Sequence, residues 1–477
     1  MQEGEFMVFS SLLFLFIFLP VFLLLYFILP TRFRNIILLI FSLLFYAWGE
    51  PKYIFIMLFS TVLDYTCGLI IDKYRDRPNI SRLGLIISLI GNIGLLFVFK
   101  YSGFFINTIN SAFKSEIKFL ELALPIGISF YTFQTMSYTI DLYRGKIKVQ
   151  KNILNFATYV TMFPQLIAGP IVTYEDISGE INGRTITMND FGYGVVRFIE
   201  GLGKKVLLAN NIGMLWDKIS NMDIATLSVT NAWLGAIAFG LQIYFDFSGY
   251  SDMAIGLGKM LGFSFPENFN HPYISKSATE FWRRWHMTLG SWFRNYVYIP
   301  LGGNRVSTMR FLSNIFVVWF LTGFWHGASW NFIVWGLFFA VFLIIEKTFL
   351  LKLLEKLPSF ISHIYLLFIV IISWVIFAHD SMAQGFNYIK VMLGMTGNSK
   401  LDINAMYELR NFTILTIVCI VFSTPLMKRI QTKCPQAIQY LFYLAVLILS
   451  TAYLVDSTFN PFSVSYTHLT LPTIRLV

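Results

Sequence analysis

Charge is scarce in this chain. Asp, Glu, Lys and Arg make up 13% of its 477 residues, against about 25% in an ordinary soluble domain, and no stretch is polar enough to fold as a separate soluble unit. Cysteine is rarer still. Cys67, Cys419 and Cys434 stand far apart, with neither metal-ligand spacing nor the pattern of a disulfide framework, so no metal centre is expected. Internal repetition is also missing: neither FDFSGYSD nor FWHG has a second copy, whereas many transporters carry two related halves. No Ser-His-Asp arrangement can be assembled from spacing.

What the chain has is apolar length. Hydrophobic residues make up 56% and aromatic residues 18%, and runs of the roughly 20 residues needed to cross about 30 Å of hydrocarbon recur almost end to end. The reading is an all-α, polytopic membrane helix bundle of roughly ten to twelve spans, some kinked or re-entrant, forming one domain over residues 7–462. The net charge of +10 does not point to nucleic acid, because the basic residues lie mostly in short loops between apolar runs. That placement fits orientation in a bilayer.

The first apolar run, Val8 to Leu29, is too long for the core of a signal peptide, and Glu3 and Glu5 stand where positive charge would be expected. It is read as a retained span. Met7 is a second candidate start, so residues 1–6 are expected to be an extension. The ending 463–477, SVSYTHLTLPTIRLV, breaks with the aromatic pattern before it and is expected to be a non-native tail. His468 is therefore left out of site arguments.

With early spans at Val8–Leu29, Ile36–Trp48, Tyr53–Ile71, Leu83–Phe99, Leu122–Ile140 and Ile153–Val172, one side of the membrane receives Arg32, Arg34, the Lys73–Arg82 loop and the Arg144–Lys151 loop. The other side has fewer basic residues, diluted by acids such as Glu50 and Glu116. The positive-inside rule puts the basic loops in the cytoplasm and the N-terminus outside. Helix breakers interrupt two of these runs, Leu124-Pro125-Ile126-Gly127 and Phe163-Pro164-Gln165 with Gly169-Pro170. Backbone freed from helical bonding in lipid must be buried in protein or line a cavity, so kinked or re-entrant pieces are expected, with a plain proline kink as the simpler reading of Pro125.

Three later stretches carry the polar chemistry. Within WLGAIAFGLQIYFDFSGYSDMAIGLGKMLGFSF, Asp246 and Asp252 sit in an apolar, glycine-rich run, where an aspartate costs about 2.5 to 3.5 kcal/mol on insertion scales. Each needs a basic side chain, water or substrate beside it. The segment Lys276 to Arg310 is the most basic; as a helix it clusters Phe281, Trp285, Leu289, Trp292 and Tyr296 on one face, with Arg283 and Arg294 opposite and His286 on the flank. Arg283 and Arg284 suit a vestibule for a phosphate-bearing ligand, or equally an anchor to anionic headgroups. The third stretch, WFLTGFWHGASWNFIVW, places His326 among aromatic residues. An ionisable group at membrane depth is a functional-site candidate, and a histidine that merely bonds helices together is the competing reading. His363 and His379 flank a later apolar run and are assigned no chemistry.

The segments FGLQIYFDFSGYSDMAIGLGKMLGF, NFNHPYISKSATEFWRRWHMTLGSWFRNYVYIPLGGNR and LTGFWHGASWNFIVWG, in this order, closely resemble the membrane-bound O-acyltransferase family, nearest its bacterial alginate O-acetyltransferase branch. VFSSLLFLFIFLP and MFPQLIAGPI look like the same branch. The resemblance implies helices around a central tunnel or funnel in a bacterial inner membrane, His326 as the catalytic residue, and His286 near it or along the donor path. It implies an acyl thioester such as acetyl-CoA as donor substrate, with no bound cofactor, and an extracytoplasmic acetyltransferase or polysaccharide-export partner.

Moving an acyl group from a thioester to a hydroxyl needs a base for the hydroxyl proton, and histidine has the suitable ordinary pKa. Burial favours its neutral form. The oxyanion needs donors, for which Asn331, Trp325 and nearby backbone N–H groups are candidates. Direct transfer is preferred over a covalent intermediate on Ser329. D-alanyl transfer to teichoic acid is an alternative, and so is a transporter or flippase that uses Asp246, Asp252 and His326 as its polar path.

Overall fold

Proline and glycine decide where the apolar runs become separate helices. A computed structural model describes residues 7–119, 122–167 and 169–456; the expected extension at 1–6 and tail at 463–477 lie outside the described residues. Those residues are helical throughout, joined by turns and irregular segments, with no strand among them. Among the described residues, six helices are by themselves long and apolar enough to cross a membrane: Thr31–Gly49, Ile54–Lys73, Pro78–Phe113, Ser359–Ala378, Ile403–Phe422 and Gln436–Asp456. Several other apolar runs are divided into shorter helices, which is why fewer single helices reach that length than there are apolar runs. Contacts divide the described chain into two units, one of residues 7–201 with Tyr250–Glu267, the other of Leu202–Gly249 with residues 268–456.

The first unit has an aromatic core. Phe163 is surrounded by Phe9, Phe14, Phe18, Phe22 and Phe45, with ring centroids 5.1 to 6.3 Å away. Pro164 brings Phe163 there, because helix Ile153–Thr161 stops at Met162 and a four-residue helix, Phe163–Leu166, restarts in a new direction. The freed backbone is satisfied by protein, as a bilayer demands: the Phe163 N–H donates to the Ser42 hydroxyl at 3.0 Å, and the Gln165 amide donates to the Tyr159 carbonyl at 2.7 Å. Pro125 is no kink inside a helix. The helix starts only at Ile128, and Gly127, at φ +73°, packs so closely that an added Cβ would lie 2.7 Å from the Leu166 carbonyl oxygen. The two breaks thus dock against each other through a position only glycine fills without strain.

In the same unit, buried Asp64 accepts hydrogen bonds from Ser88 and from the Asn92 amide. The network joins two helices, Asp64 on Ile54–Lys73 and Ser88 with Asn92 on Pro78–Leu96, so local periodicity does not reveal it. Asp252 pairs with Arg197 at 2.7 Å, and Arg197 also reaches Glu267 at 2.6 Å.

The second unit is organised by a tight hairpin of helices Thr308–His326 and Trp330–Ile345. Gly323 and Gly336 let the two backbones touch: a Cβ on Gly323 would lie 2.3 Å from the Phe332 carbonyl, and one on Gly336 2.3 Å from that of Trp319. Small residues permit such approach where lipid offers no hydrophobic drive for helix association. The helix expected through Phe281–Tyr296 is instead broken. Ala278–Trp282 and Met287–Phe293 are separate short helices, with His286 between them in the left-handed region at φ +46°. The aromatic face survives the break, with Phe281, Trp285, Leu289 and Trp292 buried and Arg283 and Arg294 exposed.

Candidate active site

His326 is the last residue of its helix, and the hairpin turns its half-buried ring into an aromatic box. Trp325 lies edge-on at 5.1 Å, Trp335 from the returning helix at 5.0 Å, and Phe377 from helix Ser359–Ala378 at 5.5 Å. Trp335 is 1% exposed, and its Nε1–H has no hydrogen-bond partner among the described residues. A buried donor left unused costs about 1–3 kcal/mol, and this ring packs edge-on against the imidazole at 5.0 Å. Sequence spacing alone did not single it out.

Trp325 joins the two histidines, since the ring that packs on His326 also lies 6.0 Å from His286. His286 is buried, with Phe247 edge-on at 4.7 Å. Burial alone pushes its imidazole down to about 3, so the ring is neutral near pH 7. Its Nδ1 lies 3.1 Å from Asn268 Oδ1, while Nε2 has no partner among the described residues. Asn268 stands 18 residues earlier in the chain, beyond the reach of helical periodicity.

The helix that carries Trp282 is anchored from a distance. Glu346, also unforeseen, is buried and accepts from the Ala278 N–H at 2.6 Å, from the Thr279 N–H at 2.8 Å and hydroxyl at 2.6 Å, and from the Tyr365 hydroxyl at 3.2 Å. A carboxylate at a helix N-terminus satisfies otherwise orphaned N–H groups.

The remaining candidates have defined surroundings. Asn331 accepts from the Ser329 hydroxyl and donates to the His379 carbonyl at 3.0 Å, so it is bound into the hairpin turn. Asp246 pairs with Lys205 at 2.6 Å. Asp252 belongs to the first unit and has Arg197. Both aspartates therefore have the basic neighbour that their apolar setting requires. Arg284 is tied to Glu280 at 2.9 Å and to the Asn270 carbonyl at 3.2 Å, whereas exposed Arg283 lies near Lys347, whose pKa is lowered first by burial and then by the Arg283 charge.

The model of the family described as MBOAT, membrane-bound O-acyltransferase, matches residues 143–424. Relatives include the "Probable alginate O-acetylase AlgI" of Pseudomonas aeruginosa, 42% identical over 390 residues that cover 81% of this chain and 75% of the relative. The "Peptidoglycan O-acetyltransferase" of Helicobacter pylori is 36% identical over 82% of this chain and 81% of its own length. The "Teichoic acid D-alanyltransferase" of Streptococcus thermophilus is 30% identical over 48% of this chain and 58% of its own. The chain belongs to the membrane-bound O-acyltransferase family. It is a multi-pass membrane enzyme that transfers acyl groups to oxygen.

Proposed function

We propose that this enzyme moves acetyl from a cytoplasmic thioester, acetyl-CoA or a related donor, to a hydroxyl beyond a bacterial inner membrane. The acceptor is a polysaccharide, or a partner acetyltransferase or export protein that completes the transfer. The aromatic box around His326 is the observation that carries this reading. A neutral imidazole there takes the hydroxyl proton as the oxygen attacks the thioester carbonyl, and the proton then goes to the departing thiolate. The Trp335 N–H, with Trp325 and Asn331 as the alternatives, faces the charge that develops on the carbonyl oxygen. Aromatic walls keep water from the thioester. His286 binds substrate beside this centre, and Arg283 with Lys347 meets the phosphates of the donor.

The names of the relatives at 42% and 36% identity favour acetyl over D-alanyl, and the ion-paired state of Asp246 and Asp252 disfavours a transport path through them. The test is the acid released from surface polysaccharide of cells lacking the protein, before and after the wild-type gene is restored. Acetate that disappears and returns supports the reading; D-alanine in its place, or no change, overturns it.

A further inference from the structure

The orientation of the His286 ring can be read from its partner. The Thr288 backbone N–H can only donate, and it lies 3.3 Å from Asn268 Oδ1, with the Thr288 hydroxyl 3.0 Å from the same atom. The oxygen end of the carboxamide therefore faces this segment. An amide oxygen only accepts, so His286 Nδ1, 3.1 Å away, carries the ring hydrogen, and the lone pair of the neutral ring sits on Nε2. That atom is buried without a partner among the described residues.

The backbone is committed to the same arrangement. The Met287 N–H donates to the Asn268 carbonyl at 3.0 Å, which holds His286 at φ +46° and ψ +52°. Non-glycine residues rarely adopt that region, and such strain gathers at functional sites. The charged and titratable groups on neighbouring elements are engaged elsewhere: Asp246 with Lys205, Arg284 with Glu280, and His271 Nδ1 with the Ser423 carbonyl, while His326 packs on the shared Trp325 ring.

We propose that Asn268 is a positioning residue whose carboxamide fixes His286 as a hydrogen-bond acceptor at Nε2, so that this atom binds a neutral O–H or N–H of substrate. Two sources have that chemistry, a hydroxyl neighbouring the reacting one on a sugar acceptor and an amide N–H of a pantetheine-type donor. An anion does not fit there. The inference rests on His286 lying in the substrate site, as proposed above.

Nitrogen NMR of protein with isotope-labelled histidine, compared between wild type and His286→Asn, reads the ring directly and needs no turnover. Hydrogen on Nδ1 and a bare Nε2 are expected; hydrogen on Nε2 would overturn the proposal. In membrane vesicles supplied with radiolabelled acetyl-CoA and alginate oligosaccharides, Asn268→Ala should lower turnover about 10- to 100-fold. A KM rise confined to one substrate identifies which of the two binds Nε2. Asn268→Asp keeps the accepting oxygen but favours imidazolium, so the acidic limb of the pH–rate profile should move up by about one unit or more. A folded Asn268→Asp enzyme with an unmoved limb makes Asn268 merely structural and sinks the proposal. Full activity in His326→Ala would refute the proposed base while leaving the NMR result to stand by itself.

Discussion

Lys205 and Asp246 make the most demanding prediction about how this chain tolerates charge among its apolar helices. Their side chains are 7% and 3% exposed and meet at 2.6 Å. At an effective dielectric near 20, two unit charges at that distance attract by about 6 kcal/mol, but removing both from water costs several kcal/mol per ion. Little net stabilisation remains. The asymmetry lies in breaking the pair: Asp246→Leu or Lys205→Met alone removes one charge of a buried pair and should cost about 3–5 kcal/mol, while the double substitution should recover most of that loss. Denaturant titration of purified protein in detergent, with size-exclusion chromatography to score the folded fraction, measures all four corners of the cycle. A double variant no more stable than the worse single one would refute the structural role. So would an Asp246→Asn protein of unchanged stability that had lost acyl transfer, since that result moves Asp246 into the substrate path.

Four further substitutions separate the roles assigned at the site. Trp335→Phe removes one buried N–H and should lower kcat about 100-fold with little change in KM; a wild-type kcat excludes Trp335 as an oxyanion donor. Arg283→Ala should raise the KM for the thioester more than Arg284→Ala does, because Arg284 is already held by Glu280, and equal effects would contradict that ranking. His286 contributes to the pH dependence of stability with a definite sign. Its value falls from 6.5 to about 3, so within that window the unfolded chain binds a proton that the folded chain does not, and stability falls as the pH falls. At pH 5 the loss from this ring is about 2 kcal/mol. His286→Asn, chosen because asparagine tolerates a left-handed backbone, should flatten the unfolding midpoint between pH 7 and 5; an unflattened curve would show that the ring is not buried neutral.

Much of the architecture was legible because apolar length is a local property. The helix Ser359–Ala378 encloses the apolar run expected between His363 and His379, and the proline–glycine breaks fall where the sequence puts them. What a break becomes is not local. Pro125 reads as a kink in isolation, yet the Leu166 carbonyl packed on Gly127 makes it the lead-in to a helix. Helical periodicity grouped the aromatic residues from Phe281 to Trp292 correctly but ran one helix through His286, because the bonds that break it come from Asn268. Trp335 and Glu346 were passed over for the same reason. A tryptophan in an aromatic run comes to lie beside His326 only when the hairpin closes, and a glutamate after sixteen helical residues of the hairpin's second arm, Trp330–Ile345, acquires its role only from helices distant in sequence. The intramembrane aspartates were flagged on cost alone, and their partners emerged only with the packing.

The most direct measurement is acyl transfer by purified protein reconstituted in lipid, with a labelled acetyl thioester on the cytoplasmic side and the wild-type or His326→Ala chain at equal folded amount. Loss of labelled ester in the variant, with donor binding retained, is the expected result. Transfer at the wild-type rate without that imidazole would contradict the assignment of His326 as the base.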